Sequence, residues 1–209
     1  MDRKFVIASS NPGKLHEMAG ILKTLGIVVH PQSDWQVPEA KETASTFIEN
    51  SLIKARQAAR HTGMPCIADD SGLVVAALNG KPGIYSARYA GDDADDQANI
   101  LKLLADLQLI PGADRRAYFY CAMVLVNSVD DPAPLIATGR WHGQILDSPQ
   151  GEGGFGYDPL FGITSRTDKT RQRSAAELSD AEKCRVSHRG QALMELVRLI
   201  RERDDGFAE

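Results

Sequence analysis

Two adjacent carboxylates lie inside an apolar stretch, "PCIADDSGLVVAAL" over residues 65–78, and no other residues of the chain invite a chemical reading so strongly. An unpaired charge in an apolar interior costs far more than its neighbours gain, so Asp69 and Asp70 need a task. An Asx-turn at the end of a strand accounts for one Asp easily and for two poorly. At a strand end facing a cleft, the pair can hold Mg²⁺, which takes one or two carboxylates and fills its remaining positions with substrate phosphates. Ser71 and Gly72 would let a hydroxyl and the backbone approach the same ligand.

Three further segments carry candidate groups. "SSNPGK" (Ser9, Ser10, Asn11, Pro12, Gly13, Lys14) joins a predicted strand to a helix N-terminus, where free backbone N–H groups and the positive dipole end suit a phosphate. Lys14 falls in the first helical turn, an unfavourable place for a cation unless an anion is bound nearby. An ordinary capped turn is the other reading of the same residues. "GGFGYDP" sets glycines around Phe155, followed by Gly156, Tyr157 and Asp158; it reads as a base-stacking platform or as a loop whose aromatics cap the core. "VSHRGQAL" puts His188 and Arg189 in the first turn of the last helix, again against its dipole, with Lys183 close in sequence. Glu42, Glu49 and Lys54 surround or ride on the second helix and read as solvated charges unless that helix approaches the carboxylate pair.

The elements that must position these groups follow from pattern. "KFVIASS" reads as a buried strand; a helix follows it, with Asn11 as N-cap, Pro12 first in the helix, and Gly26 at its close. Residues 27–30 form a second strand. The stretch "KETASTFIENSLIKARQAARHTG" is a strong helix with a capping box at Thr46 and Glu49 and an inner face of Ile48, Leu52, Ala55 and Ala59. Then come the carboxylate strand, an amphipathic helix through Ile100, Leu103, Leu104 and Leu107, and two extended segments joined by "SVDDPA". A short helix capped by Ser179 and Glu182, a break near Ser187 and a longer helix end the chain. Helices alternate with strands early and strands cluster in the middle, which predicts an α/β protein with a mixed sheet.

Composition excludes several classes. A chain of 209 residues with 43% hydrophobic and 25% charged residues is a globular protein of one domain or one two-lobed domain. A formal net charge of −4 gives no polyanion-binding signature, so no nucleic-acid partner is expected. Cys66, Cys121 and Cys184 are odd in number and lack CxxC spacing, the usage of core thiols in a reducing compartment. The apolar run Phe5 to Ala8 is too short for a signal peptide and Leu73 to Leu78 too short for a membrane span, so a cytoplasmic protein without membrane contact is expected.

Taken together and in order, "ASSNPGKLHEM", "TFIENSLIKA", "ADDSGL", "PGIYSARYAG", "GGFGYDPLF", "AAEL" and "SHRGQAL" resemble the inosine/xanthosine triphosphate pyrophosphatase family. Those enzymes cleanse the nucleotide pool and keep hypoxanthine and xanthine out of DNA and RNA. The resemblance implies a single 1–209 domain, a long curved mixed sheet flanked by helices that form two lobes around an active-site cleft. It also implies a homodimer and Mg²⁺-dependent hydrolysis of ITP, dITP or XTP to monophosphate and pyrophosphate. Carried over by motif, Ser9 to Lys14 cradle the triphosphate, and Glu42 and Asp70 bind Mg²⁺. Asp70 also accepts the proton of the attacking water, and Ser71, Phe155, Gly156, Tyr157, Asp158, Lys183, His188 and Arg189 contact substrate. Asp69 is a second ligand or a support for Asp70. The chain departs from the family in reading Ser9-Ser10 at the loop start, and in a longer basic segment that leaves Lys169, Arg171 and Arg173 without assigned roles.

The implied base pocket has a physical logic. Hypoxanthine and xanthine present an acceptor oxygen at position 6, where adenine presents a donor. An Arg189 guanidinium offers donors only, and a site left with unpaired polar groups rejects the wrong ligand by roughly 10⁴-fold. Guanine shares the 6-oxygen, so its exclusion rests on a group near position 2. Two rivals remain: a Maf-like pyrophosphatase, which would lack the F-G-Y-D and S-H-R blocks, and a non-catalytic nucleotide- or RNA-binding module, which would leave Asp69 and Asp70 idle.

Overall fold

The computed structural model of the protein describes residues 4–24, 26–164 and 172–205. Along the chain run β1 (Lys4–Ile7), α1 (Pro12–Thr24), β2 (Val28–Pro31), α2 (Phe47–Thr62), β3 (Cys66–Val75), α3 (Asp96–Gln108), β4 (Arg116–Val126), β5 (Leu135–Ile145), β6 (Phe161–Thr164), β7 (Gln172–Ser174), α4 (Asp180–Val186) and α5 (His188–Asp205). The strands pair in one open sheet of order β2-β1-β3-β4-β5-β6-β7. β1 lies parallel to β2 and β3, whereas β6 lies antiparallel to β5 and β7. The sheet is mixed, as the element order predicts.

The helix ends form where their capping residues require. Asn11 Oδ1 accepts the Lys14 N–H at 3.0 Å, so α1 starts at Pro12. Thr46 Oγ1 accepts the Glu49 N–H, but the Glu49 carboxylate bonds the Thr46 hydroxyl at 2.6 Å, a variation on the predicted box. Gly63 ends α2 in the left-handed region, at a φ of 66°. Ser179 and Glu182 make the full reciprocal box of α4, and Ser187 breaks the chain into α5 with an extended backbone. Among the described residues no helix is long and apolar enough to cross a membrane.

Two compact units divide the chain. The first holds Met1–Asp70, Cys121–Gly139 and His188–Glu209; the second holds Ser71–Tyr120 and Arg140–Ser187. In the first, Val6 and Ala8 of β1, Cys66 and Ala68 of β3, and Val124 and Val126 of β4 form a core with Ala55, Ala58 and Ala59 of α2. The run of alanines lets α2 lie close to the strands. Cys66 and Cys121 are buried free thiols, and burial pushes the Cys121 thiol up to about 12. In the second unit, Leu103 and Leu107 of α3 join Phe119, Trp141 and Phe161, whose rings pack at 4.5 Å (Phe119–Phe161) and 5.1 Å (Trp141–Phe161) between centroids.

Candidate active site

Asp69 and Asp70 do not end a strand, as the sequence suggests; they occupy the middle of β3 and are buried, 1% and 5% exposed. The strand tolerates them because each carboxylate has cations within reach. Successive strand residues point to opposite faces, and the nearest partners divide accordingly. Asp69 Oδ2 lies 3.1 Å from Lys14 Nζ and 3.4 Å from Arg189 Nε. Asp70 Oδ2 accepts a hydrogen bond from Asn50 Nδ2 at 3.2 Å, while its Oδ1 lies 3.6 Å from Lys54 Nζ. One dipeptide therefore serves α1 and α5 through Asp69 and α2 through Asp70.

The two environments push the carboxyls apart. Burial favours the neutral form of Asp69, but Lys14, Arg189 and Lys54 outweigh it and hold the group well below the ordinary carboxylate range. Burial also raises Asp70; there Lys54, Lys14 and the Asn50 hydrogen bond oppose it, Glu42 reinforces it, and the net shift is upward. A carboxyl held below the ordinary range thus stands next to one pushed above it, a division that suits acid–base chemistry.

Lys14 extends from the first turn of α1, and the preceding loop is organised by its own side chains, since the Asn11 N–H donates to Ser9 Oγ at 3.2 Å. Ser10, Asn11 and Pro12 are exposed; Ser9, Gly13 and Lys14 are half-buried. One turn after Lys14, Glu17 accepts from Arg189 Nη1. His188 and Arg189 open α5, yet Arg189 is only 2% exposed, with Nε and Nη1 both turned to carboxylates. Their depth depends on Gly139 of β5, where an added Cβ would lie 2.0 Å from the His188 carbonyl oxygen and 2.8 Å from the Ala192 nitrogen.

α2 supplies what the sequence alone left among solvated charges. Its buried face carries Asn50 and Ser51 alongside Ala55, Ala58 and Ala59, and Ser51 Oγ donates to the Ala122 carbonyl at 2.9 Å. Asn50 Oδ1 accepts the Ala44 N–H while its amide nitrogen serves Asp70. One turn on, Lys54 Nζ lies 2.7 Å from Glu42 Oε1 as well as near Asp70, so Glu42 and Asp70 share one ammonium. Burial alone would lower the Lys54 pKa; Asp70, Asp69 and Glu42 reverse that and raise it, keeping the group charged. Glu17, Asn50 and Lys54 are the functional candidates the motif reading did not select. The available signal was the i, i+4 spacing of Asn50 and Lys54 beside polar interruptions of an alanine face.

The second unit holds its own group. Lys183 Nζ donates to Asp158 Oδ2 at 2.6 Å and lies 4.6 Å from the centroid of the Phe155 ring. The same Asp158 oxygen accepts the Phe155 N–H at 2.9 Å. Gly154 has a φ of 75°, and an added Cβ there would lie 2.2 Å from that oxygen. The Gly156 N–H donates to Asp96 Oδ2 at 2.6 Å, and the Tyr157 hydroxyl donates to the Ser86 carbonyl at 2.9 Å. Ser71 is half-buried and follows Asp70 directly. Arg173 pairs with Glu182 at 3.2 Å and bonds the Glu177 carbonyl, which ties it to the start of α4; Lys169 and Arg171 lie outside the described residues.

Comparison with known proteins places the chain in a family. The Ham1 family model matches residues 5–199. A dITP/XTP pyrophosphatase of Vibrio cholerae is 50% identical over 200 residues, covering 96% of this chain and 98% of that protein. Another, from Coxiella burnetii, is 49% identical over 95% of this chain and 97% of that one. Among solved structures, a HAM1 protein from Coxiella burnetii superposes with a TM-score of 0.85 at 48% identity, covering 96% of this chain and 99% of that one. A nucleoside-triphosphatase / dITP/XTP pyrophosphatase from Mycobacterium abscessus gives a TM-score of 0.71 at 44% identity, covering 93% and 98%. The match spans nearly the whole of each chain, and the chain belongs to the Ham1 family.

Proposed function

We propose that the protein hydrolyses the deaminated purine nucleoside triphosphates ITP, dITP and XTP to the monophosphate and pyrophosphate. The observation that carries the mechanism is Asp70, buried in mid-strand with a raised pKa and flanked by Lys54 and Asn50. A carboxylate of raised basicity within reach of a water is a suitable proton acceptor. Water attacks the α-phosphorus, its proton passes to Asp70, the bond from that phosphorus to the bridging oxygen breaks, and the electron pair leaves with pyrophosphate. Lys14 at the head of α1 meets the negative charge that gathers on the leaving group.

Among the described residues no group of three or more His, Cys, Asp or Glu forms a ready metal cage. The all-oxygen donor pair of Glu42 and Asp70, now sharing an ammonium, fits a hard cation that is completed by substrate phosphates. Glu42 and Asp70 would hold Mg²⁺, which when bound neutralises charge on phosphate oxygens and acidifies a coordinated water. Ser9 to Lys14 take the triphosphate, and Phe155 to Asp158 with Lys183 form the platform for the base. Arg189, whose Nε and Nη1 are turned to carboxylates, contacts the base in the same proposal. The proposed assembly is a homodimer in the cytoplasm, its mass open to light scattering.

Pyrophosphate release with Mg²⁺ from ITP, dITP, XTP, ATP, GTP, CTP, UTP and dTTP tests the reading. A preference of about 100-fold or more for the deaminated purines is expected. A pyrimidine preference would favour the Maf-like reading, and no release from any nucleotide would favour a binding module.

A further inference from the structure

Lys14 and Glu17 stand three residues apart on α1, and both ends of this pair return to one another through the sheet. Lys14 pairs with Asp69 at 3.1 Å, Asp69 with Arg189 of α5 at 3.4 Å, and Arg189 with Glu17. The circuit therefore closes on the helix it left. Its hinge is Asp69, whose side chain is fully buried. A free lysine side chain is among the most costly to order, because four rotatable bonds must be fixed. Lys14 is only 16% exposed at its side chain and already sits against a fixed carboxylate, so much of that ordering is complete before any nucleotide arrives. Asp70 contacts Asn50 and Lys54 of α2 at 3.2 and 3.6 Å, while Lys14 and Lys54 act electrostatically on both carboxylates.

We propose that Asp69 is a positioning residue for the reaction: it fixes the Lys14 ammonium and, through Arg189 and Glu17, the turn of α1 that carries it. This role rests on the pyrophosphatase reading and resolves the choice for Asp69 between metal ligand and support. Asp69 contacts Lys14 of α1 and Arg189 of α5, whereas Lys54 contacts Glu42 and Asp70.

A double-mutant cycle reads the role directly. Asp69→Asn keeps the side-chain volume and removes the charge; kcat/KM for dITP should fall about 100-fold, the usual consequence of a misplaced reactive group. If Asp69 acts through Lys14, the same substitution in a Lys14→Met background should cost less than about threefold more, because coupled residues are not additive. Equal losses in both backgrounds would overturn the proposal, as would unchanged kcat/KM in Asp69→Asn. Restoration of Asp69→Asn by raised Mg²⁺ would overturn it in favour of a metal ligand. Should Asp69→Asn fail to fold by circular dichroism, Glu17→Gln, at the half-buried end of the circuit, carries the same test: a smaller loss that again disappears in Lys14→Met. The wild-type assay separates the two levels. No pyrophosphate from wild type would sink the pyrophosphatase reading, whereas an active wild type with an additive cycle would sink the positioning role alone.

Discussion

The charged group of the first unit and the Phe155 platform of the second both hold ion pairs, yet what lies beside those pairs differs. Among the described residues, Lys14, Lys54 and Arg189 pair with Glu17, Glu42, Asp69 and Asp70, so several carboxylates converge around the Asp69–Asp70 dipeptide. In the second unit the Lys183 ammonium meets the Asp158 carboxylate, the aromatic face of Phe155 lies beside them, and Asp96 accepts from the Gly156 N–H. Converging carboxylates suit a divalent cation and the phosphates it brings. An aromatic face suits an uncharged base, which gains from stacking. The proposed function gives hydrolysis to the first group and recognition of the base to the second, and the difference makes each proposal open to attack.

The largest effect belongs to Asp70. Asp70→Asn should lower kcat by about 10³-fold, the scale of a lost general base, while nucleotide affinity measured by calorimetry stays within a few-fold. Near-wild-type turnover would remove the base from the first group altogether. Lys54→Met comes next, at about 100-fold in kcat/KM, since Glu42 and Asp70 lose the cation they share. Its sign in pH is fixed as well. Lys54 opposes the upward shift of Asp70, so removing it raises the Asp70 pKa further and moves the acid limb of kcat/KM to higher pH. An acid limb at lower pH would contradict that electrostatic role.

Phe155→Ala should act on the other region in a different currency: KM for nucleotides up about tenfold from lost stacking, with kcat largely kept. A loss confined to kcat would erase the distinction between the two groups. The smallest effect is thermal. A raised Asp70 pKa means that the ionised carboxylate costs stability once pH exceeds its folded value, so metal-free Asp70→Asn should melt about 2–4 °C above wild type at neutral pH. Asp69 has the opposite sign: its lowered pKa contributes stability above the ordinary carboxylate range, lost as pH falls through the folded value. Asp69→Asn should therefore melt below wild type.

Local chemistry was legible in the sequence wherever the deciding partners lie within a few residues. The Asn11 cap, the Thr46 cap, the Ser179–Glu182 box and the Gly63 stop all form at their predicted places. The mixed sheet followed from element order, although β7, three residues from Gln172 to Ser174, is too short to leave a periodicity. Asp69 and Asp70 were found by their misfit in an apolar run, but placed at a strand end, because no local feature announces Lys14, Arg189 and Lys54 waiting opposite. Lys54 illustrates the limit. Its partners are twelve and sixteen positions away, and only the approach of α2 to β3 turns an ordinary helix lysine into the bridge between Glu42 and Asp70. Arg189 is the converse: its position against the helix dipole flagged it, while its burial against Glu17 and Asp69 depends on the absent side chain of Gly139.

The claim that joins these groups is attack at the α-phosphorus, and isotope placement tests it most directly. Hydrolysis of dITP in ¹⁸O-labelled water, with products resolved by mass spectrometry, should put the label in the nucleoside monophosphate and leave the pyrophosphate unlabelled. Label in the pyrophosphate, or labelled orthophosphate as the main product, would contradict the account.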